Sequence, residues 1–310
     1  MQTILGANGV IATELAKELY IHYTKDIRLV SRNPQKVNQT DKLFAADLLD
    51  ANQTDEAVRG SEIAYLTVGL PNDTAIWVEQ FPIIMRNVID ACKKHQVKLV
   101  FFDNTYMYGK MEGFINEQTP FSSTDPKGKV RGEIAAMLLA EIKNKNITAL
   151  IGRAPEFYGP GKTKGITNGL IFNNISRGKR LKVFLRDDVL RTLIFTTDAS
   201  RAIALLGNTP DAYNQTWHLP CDNNRLTTKE FIALASEVYG EKLEYDILSQ
   251  EYIENHAISN VGMKEALELL PRYEIENLFD SSKFKARFPD FKVTSYREGI
   301  SIIINEIKNK

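Results

Sequence analysis

Residues 2–12 read "QTILGANGVIA", and the reading of the whole chain hangs on them. Thr3, Ile4 and Leu5 make a short apolar run that breaks at Gly6. From Val10 to Tyr23 the apolar residues recur at helical spacing, with Ile11, Leu15, Leu19 and the Ile21-His22 pair near one stripe. The pattern predicts a strand, a glycine turn and a helix. Gly6 lets the chain turn, Gly9 lets the backbone approach a ligand, and a small residue at Ala12 lets helix pack on strand. With Asn8 in the turn and Val10 and Ile11 opening the helix, free N–H groups and a positive dipole end face the same point, which suits an anion such as a pyrophosphate. A Gly-x-x-Gly-x-x-Ala string is a weak signal alone. Its place in a strand–turn–helix that opens an alternating chain makes it strong.

The alternation runs on. "DIRLVSR" (26–32) and "KLFAADLLD" (42–50) are β-type runs, and "EIAYLTVGL" (62–70) is nearly continuous in apolar residues, as in a strand covered on both faces. "WVEQFPIIMRNVIDACKKH" reads as a long helix followed at once by the strand "VKLVFFDN" (97–104). A further helix is expected over 126–143, with Asp125 able to cap it and Pro126 in its first turn, and then the strand "ITALIGR" (147–153). Strands alternating with helices predict an α/β protein with a doubly wound parallel sheet of Rossmann type. Beyond residue 153 the texture changes, with the Gly- and Pro-rich "APEFYGPGKTKG" and short mixed elements. The expected division is a nucleotide-binding domain of 1–153 plus about 191–217, and a smaller mixed α/β C-terminal lobe of about 154–190 and 218–310.

Composition excludes several classes. In 310 residues, 39 basic and 39 acidic side chains cancel, so nothing favours nucleic acid or an anionic membrane as partner. No apolar run approaches the length of a membrane span. Two cysteines and four scattered histidines have no metal-ligand spacing, so no metal is expected. A reduced, cytoplasmic protein acting on a small molecule is the default, and the sequence leaves a homodimer open.

At the end of the second expected strand stand Ser31 and Arg32, where an acid would hold a ribose 2′-hydroxyl. Arg32 can pair with a 2′-phosphate or stack on an adenine, which favours NADP and leaves NAD open. Asp47, ending the third strand with Leu48 beside it, is placed to accept from the adenine amino group. Thr67, Val68 and Gly69 end the fourth strand, where small residues leave room for a cofactor.

With those residues in place the chain resembles the extended short-chain dehydrogenase/reductases, the NAD-dependent epimerase/dehydratase family, in the atypical branch. The likeness is carried in order by "GANGVIA" (6–12), "DLLDANQTDEAVRGSEIAYLTVG" (47–69), "DNTYMYG" (103–109), "GRAPEFYGPG" (152–161) and "RTLIFTTDASRAI" (191–203), and then by "TTKEFIALASEVYG" (227–240) and "DSSKFKARFPDFKVTSYREGI" (280–300). It implies NAD(P) as cofactor and a catalytic Ser/Thr, Tyr and Lys, the last two as Tyr-x-x-x-Lys. Here the serine position falls on Asn104, with Thr105 next to it, and the tyrosine and lysine positions fall on Lys127 and Arg131. All three are changed. The same likeness puts Pro155 beside the cofactor, and Glu156, Phe157 and Arg191 in the substrate pocket. Arg191 matches a position that contacts a nucleotide-sugar diphosphate, whereas Glu156 stands where an asparagine is common.

"YMYGK" (106–110) also spells Tyr-x-x-x-Lys, but that spacing works on a helix face and this segment is a glycine-interrupted loop. Tyr106 or Tyr108 could still reach a substrate from it. The polar string "DPKGKVRGE" (125–133) promises no deep burial for Lys127, so Lys127 reads as a protonated donor to a substrate carbonyl, and Arg131 as a fork for the nicotinamide ribose. The expected function is an NAD(P)-dependent oxidoreductase acting on a small carbonyl or alcohol. The alternatives are a nucleotide-sugar epimerase/dehydratase and a non-catalytic NAD(P) sensor.

Overall fold

The computed structural model describes residues 1–309. Seven strands form one sheet: β1 (Gln2–Leu5), β2 (Ile27–Ser31), β3 (Lys42–Ala45), β4 (Ile63–Leu66), β5 (Lys98–Asp103), β6 (Ala149–Arg153) and β7 (Thr216–His218). Their order is β7-β6-β5-β4-β1-β2-β3, and every neighbouring pair is parallel. The chain winds outwards from β1 in one direction and, after β3, from β4 in the other. The junction of β1 and β4 is thus the switch point, where sheets of this kind open a crevice beyond the strand C-termini. Leu5, Leu66 and Phe101 stand in register across β1, β4 and β5, so those strand ends lie side by side.

Helices cover both faces, which is why β1, β4 and β6 are buried at every residue. They include α1 (Val10–His22), α2 (Ala51–Val58), α3 (Thr74–His95) and α4 (Pro126–Lys143). On α1 the buried stripe is Ile11, Ala12, Leu15, Ala16 and Leu19. Asp50 caps α2 by accepting from the N–H groups of Asn52 and Gln53, and Asp73 caps α3 through Ile76. The long helix therefore begins three residues before Trp77, its expected start. α3 and α4 supply Phe81, Ile84, Met85, Val88, Ile134 and Leu138 to the core over the sheet.

The chain divides into two compact units, of which the first holds Met1–Met107, Pro126–Ala154 and Ala199–Leu219. Two boundaries differ from the expected division. Residues 108–125 belong to the second unit because Phe114–Ile115 pairs with Leu278–Phe279. Residues 191–198 do so because Leu190–Arg191 pairs with Leu226–Thr227 and Leu193–Phe195 with Glu156–Tyr158. Strand pairing with distant partners decides both, and composition does not show it.

The second unit is built of short two-stranded ladders and helices around an aromatic core of Tyr158, Phe172, Phe195, Phe231 and Tyr296. Burial pushes the Tyr158 phenol well above its ordinary pKa, so that hydroxyl is a core group. Helices Thr228–Tyr239 and Tyr296–Lys308 each begin with a capping box, Thr227 with Glu230 and Ser295 with Glu298.

Candidate active site

The turn from β1 to α1 is shaped by backbone demands. Gly6 has φ +92°, and a Cβ there would lie 2.7 Å from the Val68 backbone, so both conformation and space require glycine. Gly9 ends the turn as the cap of α1 with no side-chain cap bond, and no acid stands in the first helical turn. A Cβ on Gly9 would meet nothing nearer than the Gly6 carbonyl at 4.0 Å. A ligand can therefore approach the backbone at Gly9, where the helix opens with Val10 and Ile11, and the residues fit a dinucleotide's pyrophosphate. Asn8, also at positive φ (87°), braces the turn: its Nδ2 donates to Ser31 Oγ (3.1 Å) and the Asn33 carbonyl (2.8 Å), and its Oδ1 accepts from Gln35 N.

Around that turn the other expected cofactor residues of the first unit fall at strand C-termini. Ser31 ends β2, and Arg32 beyond it is exposed and makes no hydrogen bond or ion pair among the described residues. Asp47 Oδ1 accepts from Leu49 N at 3.1 Å. Leu48 is a core residue by its side chain, and its carbonyl accepts from Asn87 and Thr54. Thr67 is buried with its hydroxyl on the Leu5 carbonyl, while Val68 and Gly69 follow at the rim.

The end of β5 and the start of α4 are governed by side chains. Asp103, the last residue of β5, is buried and receives two arginines: Arg131 through both Nε (3.0 Å) and Nη2, and Arg153 through Nε (3.3 Å). The Arg131 guanidinium lies over Phe81 (4.8 Å to the centroid) and Phe101 (5.2 Å). Its fork is thus committed to Asp103 and to two aromatic faces rather than presented as the expected ribose clamp. Next in sequence, Asn104 N–H donates to Asp103, and Asn104 Oδ1 accepts from Tyr106 N, tying the segment into a tight turn. Thr105 is buried within it.

Lys127 departs from the expectation of an exposed polar helix start: its side chain is 0% exposed. The reason is periodicity. Lys127, Arg131, Ala135 and Leu138 fall on the buried stripe of α4, and the flanking Gly128 and Gly132 are buried too. The Lys127 amine lies 5.9 Å from the centre of the Trp77 ring, and Trp77 in turn stacks on Tyr106 at 5.9 Å and 15°. Tyr106–Tyr108 is a 3-10 turn rather than an α-helix, and Lys110 is paired with Glu274 at 2.5 Å, so "YMYGK" forms no Tyr-x-x-x-Lys helix face. Tyr108 is fully buried with its hydroxyl donating to the Asn116 carbonyl (3.3 Å), whereas Tyr106 is only half-buried.

In the second unit Pro155 is buried just before the short strand Glu156–Tyr158. Glu156 and Arg191 pair at 3.3 Å, and Phe157 is half-buried beside Glu156. Thr167 and Tyr273 also donate to the Glu156 carboxylate.

Three comparisons with known proteins bear on this arrangement. The family model described as "NAD dependent epimerase/dehydratase family" matches residues 3–219. The chain belongs to that family. A Bacillus subtilis (strain 168) relative described as an uncharacterized UDP-glucose epimerase, YtcB, is 21% identical over 212 residues, 65% of this chain, and the match spans 64% of that relative's length. Among solved structures, the UDP-glucuronic acid 4-epimerase of Bacillus cereus in complex with NAD superposes with a TM-score of 0.80, 15% identity and coverage of 100% of this chain and 99% of that one. The dTDP-glucose 4,6-dehydratase of Bacillus anthracis in complex with NAD does so with a TM-score of 0.80, 15% identity and coverage of 100% and 96%. At such identities the likeness is one of fold.

For this member of the epimerase/dehydratase family, the structure gathers Gly6, Asn8, Gly9, Ser31 and Thr67 around one sheet edge, and Asn104, Tyr106 and Lys127 around another strand end. Sequence reasoning missed three participants. Asp103 was legible only as a strand-ending acid, and its partners lie 28 and 50 residues away. Trp77 was read as a helix position, and Tyr273 lies 117 residues from the carboxylate it serves.

Proposed function

We propose that this protein is an NAD(P)-dependent oxidoreductase acting on a small carbonyl or alcohol, with Lys127 as the proton-bearing group in place of a tyrosine. The observation that supports this reading is the cluster at the end of β5, where a buried lysine amine, the Trp77 ring and the Tyr106 ring come together. With NAD(P) bound, the chemistry supplied is hydride transfer. In reduction Lys127 or Tyr106 would give a proton to the substrate oxygen. The donor then regains its proton from water, and alcohol oxidation runs these steps in reverse. Burial keeps the amine out of bulk solvent, which strengthens its interaction with a developing alkoxide. Asp103 holds Arg131 and Arg153 and so fixes the turn that carries Asn104 and Tyr106. Positioned proton donors contribute about 10²–10⁴-fold. Lys127→Ala is therefore expected to cut kcat at least 100-fold with NADPH affinity kept, and unchanged turnover would remove Lys127 from the chemistry.

The cofactor preferred in this reading is NADP. Arg32 is exposed, and its neighbour at the end of β2 is a serine hydroxyl rather than an acid. Arg32→Ala should weaken NADPH binding by about 10-fold or more, as for a charge-assisted hydrogen bond, and leave NADH nearly unchanged, measured by fluorescence titration. A second reading, a cofactor-binding sensor, is favoured by the replacement of all three family catalytic positions. Its signature is NADPH binding without oxidation against any member of a carbonyl panel.

A further inference from the structure

Glu156 occupies a donor set that belongs to an anion site. Four donors converge on its carboxylate: the Thr167 N–H (3.1 Å) and hydroxyl (2.6 Å) on Oε1, and the Tyr273 hydroxyl (2.8 Å) and Arg191 Nη2 (3.3 Å) on Oε2. None of these positions is set by chance contact. Arg191 is 7% exposed, is fixed through Nη1 to the Arg272 carbonyl (2.7 Å) and lies 4.2 Å from the centre of the Tyr273 ring. Thr167 is buried as well. A small cavity of about 30 Å³ opens beside the cluster, with Ile171 and Leu226 on its apolar side. A backbone N–H, an aliphatic hydroxyl, a phenol and a guanidinium, all aimed at one point, are the means by which proteins hold carboxylates and phosphates. Here the anion is part of the chain.

We propose that Glu156 is the resident anion of this site and the residue that sets its specificity. With the carboxylate in place, the donors are satisfied and Arg191 is neutralised. A phosphate or carboxylate arriving from solution would meet a like charge, with the four donors that face it already taken. The pocket therefore takes a neutral, hydroxyl- or carbonyl-bearing group and refuses a nucleoside diphosphate. This deepens the reading of a small-carbonyl or alcohol substrate, and rests on it in assigning the pocket to substrate. Glu156→Ala removes a CH₂–COO⁻ unit, which is an acetate ion in size and charge, and leaves the donors turned towards a vacated space.

The test is thermal unfolding of the full chain with sodium acetate or sodium chloride at equal ionic strength, together with titration of uridine diphosphate. The variant Glu156→Ala should melt about 4 °C or more below the parent protein. Acetate at about 50 mM should recover at least half of that loss by mass action, while chloride should not and the parent protein should respond to neither. The same variant should bind uridine diphosphate at least 10-fold more tightly than the parent, as expected when a like charge is removed from a guanidinium. If Glu156→Ala does not fold, Glu156→Gln keeps the volume, frees Arg191 of its counter-charge and should show the same gain in diphosphate affinity. Acetate acting no better than chloride on a folded Glu156→Ala overturns the proposal. So does no gain in diphosphate affinity in either variant, or diphosphate binding by the parent protein that Arg191→Ala abolishes. No readout involves hydride transfer, so failure against a carbonyl panel overturns the catalytic reading alone.

Discussion

The β1–α1 turn and the β5–α4 junction stand at neighbouring positions of one sheet edge, two strands apart, and are built on opposite principles. The turn is a matter of backbone: a glycine at φ +92° pressed on the Val68 main chain, and a helix start left without a side-chain cap. The junction is a matter of charge. Asp103, Arg131 and Arg153 are buried in a 1:2 ratio of acid to base, with a fully buried Lys127 one turn before Arg131. Backbone demands of the first kind tolerate few residue types. Side-chain solutions of the second kind tolerate many, provided that the charges find partners. In the proposed reading, this difference separates a cofactor turn fixed by its backbone from a catalytic segment fixed by its charges.

The comparison can be broken by substitution, and the largest effect is expected at the junction. Asp103→Asn leaves two buried guanidinium groups without their acid. The cost for a broken buried pair is about 3–5 kcal/mol, read as a lower midpoint in urea unfolding. A loss under about 1 kcal/mol would show that the arginines find other partners and that the cluster is not what fixes the segment. Gly6→Ala should come next. The left-handed conformation costs a non-glycine residue about 1–2 kcal/mol, and the approach to Val68 adds to it. NAD(P)H affinity should fall together with stability, whereas Asp103→Asn should act on turnover more than on affinity. Equal effects of the two variants on affinity would erase the distinction between turn and junction.

The smallest effect calibrates the scale. Asp55 is ringed by Lys94 (2.9 Å), Arg59 (3.0 Å) and His95 (2.9 Å), a cluster much like that of Asp103 but close to solvent. The hydrogen bond from Lys94, followed by those from Arg59 and His95, holds its carboxyl down at about 2. A depressed carboxylate contributes stability that is full above its unfolded value of 3.8 and is lost as pH falls through about 2. Asp55→Asn should therefore cost less than about 1 kcal/mol at neutral pH, and that difference should vanish towards pH 2. A difference that grew on acidification would contradict the sign.

How much of this could be read beforehand follows the same division. The strand–turn–helix of residues 2–22 and the start of α4 at Pro126 were legible because glycine and proline constrain the chain locally. The burial of Lys127 was hidden by its polar neighbours, although its spacing to Arg131, Ala135 and Leu138 placed it on the inner stripe. The acid that serves Arg131 and Arg153 was not legible, since nothing local ties residue 103 to residues 131 and 153. The reach of the second unit into 108–125 and 191–198 was likewise settled by strand pairing across long separations.

The most direct test of the account is single-turnover oxidation of bound NADPH across a panel of small aldehydes and ketones, for the parent protein and for Lys127→Ala. Hydride transfer to at least one member is expected of the parent protein. The rate in the variant should be at least 100-fold lower, the usual range for a lost proton donor, with NADPH bound equally well by both. NADPH bound tightly but oxidised with no member of the panel, or oxidised equally fast without the lysine, would contradict it.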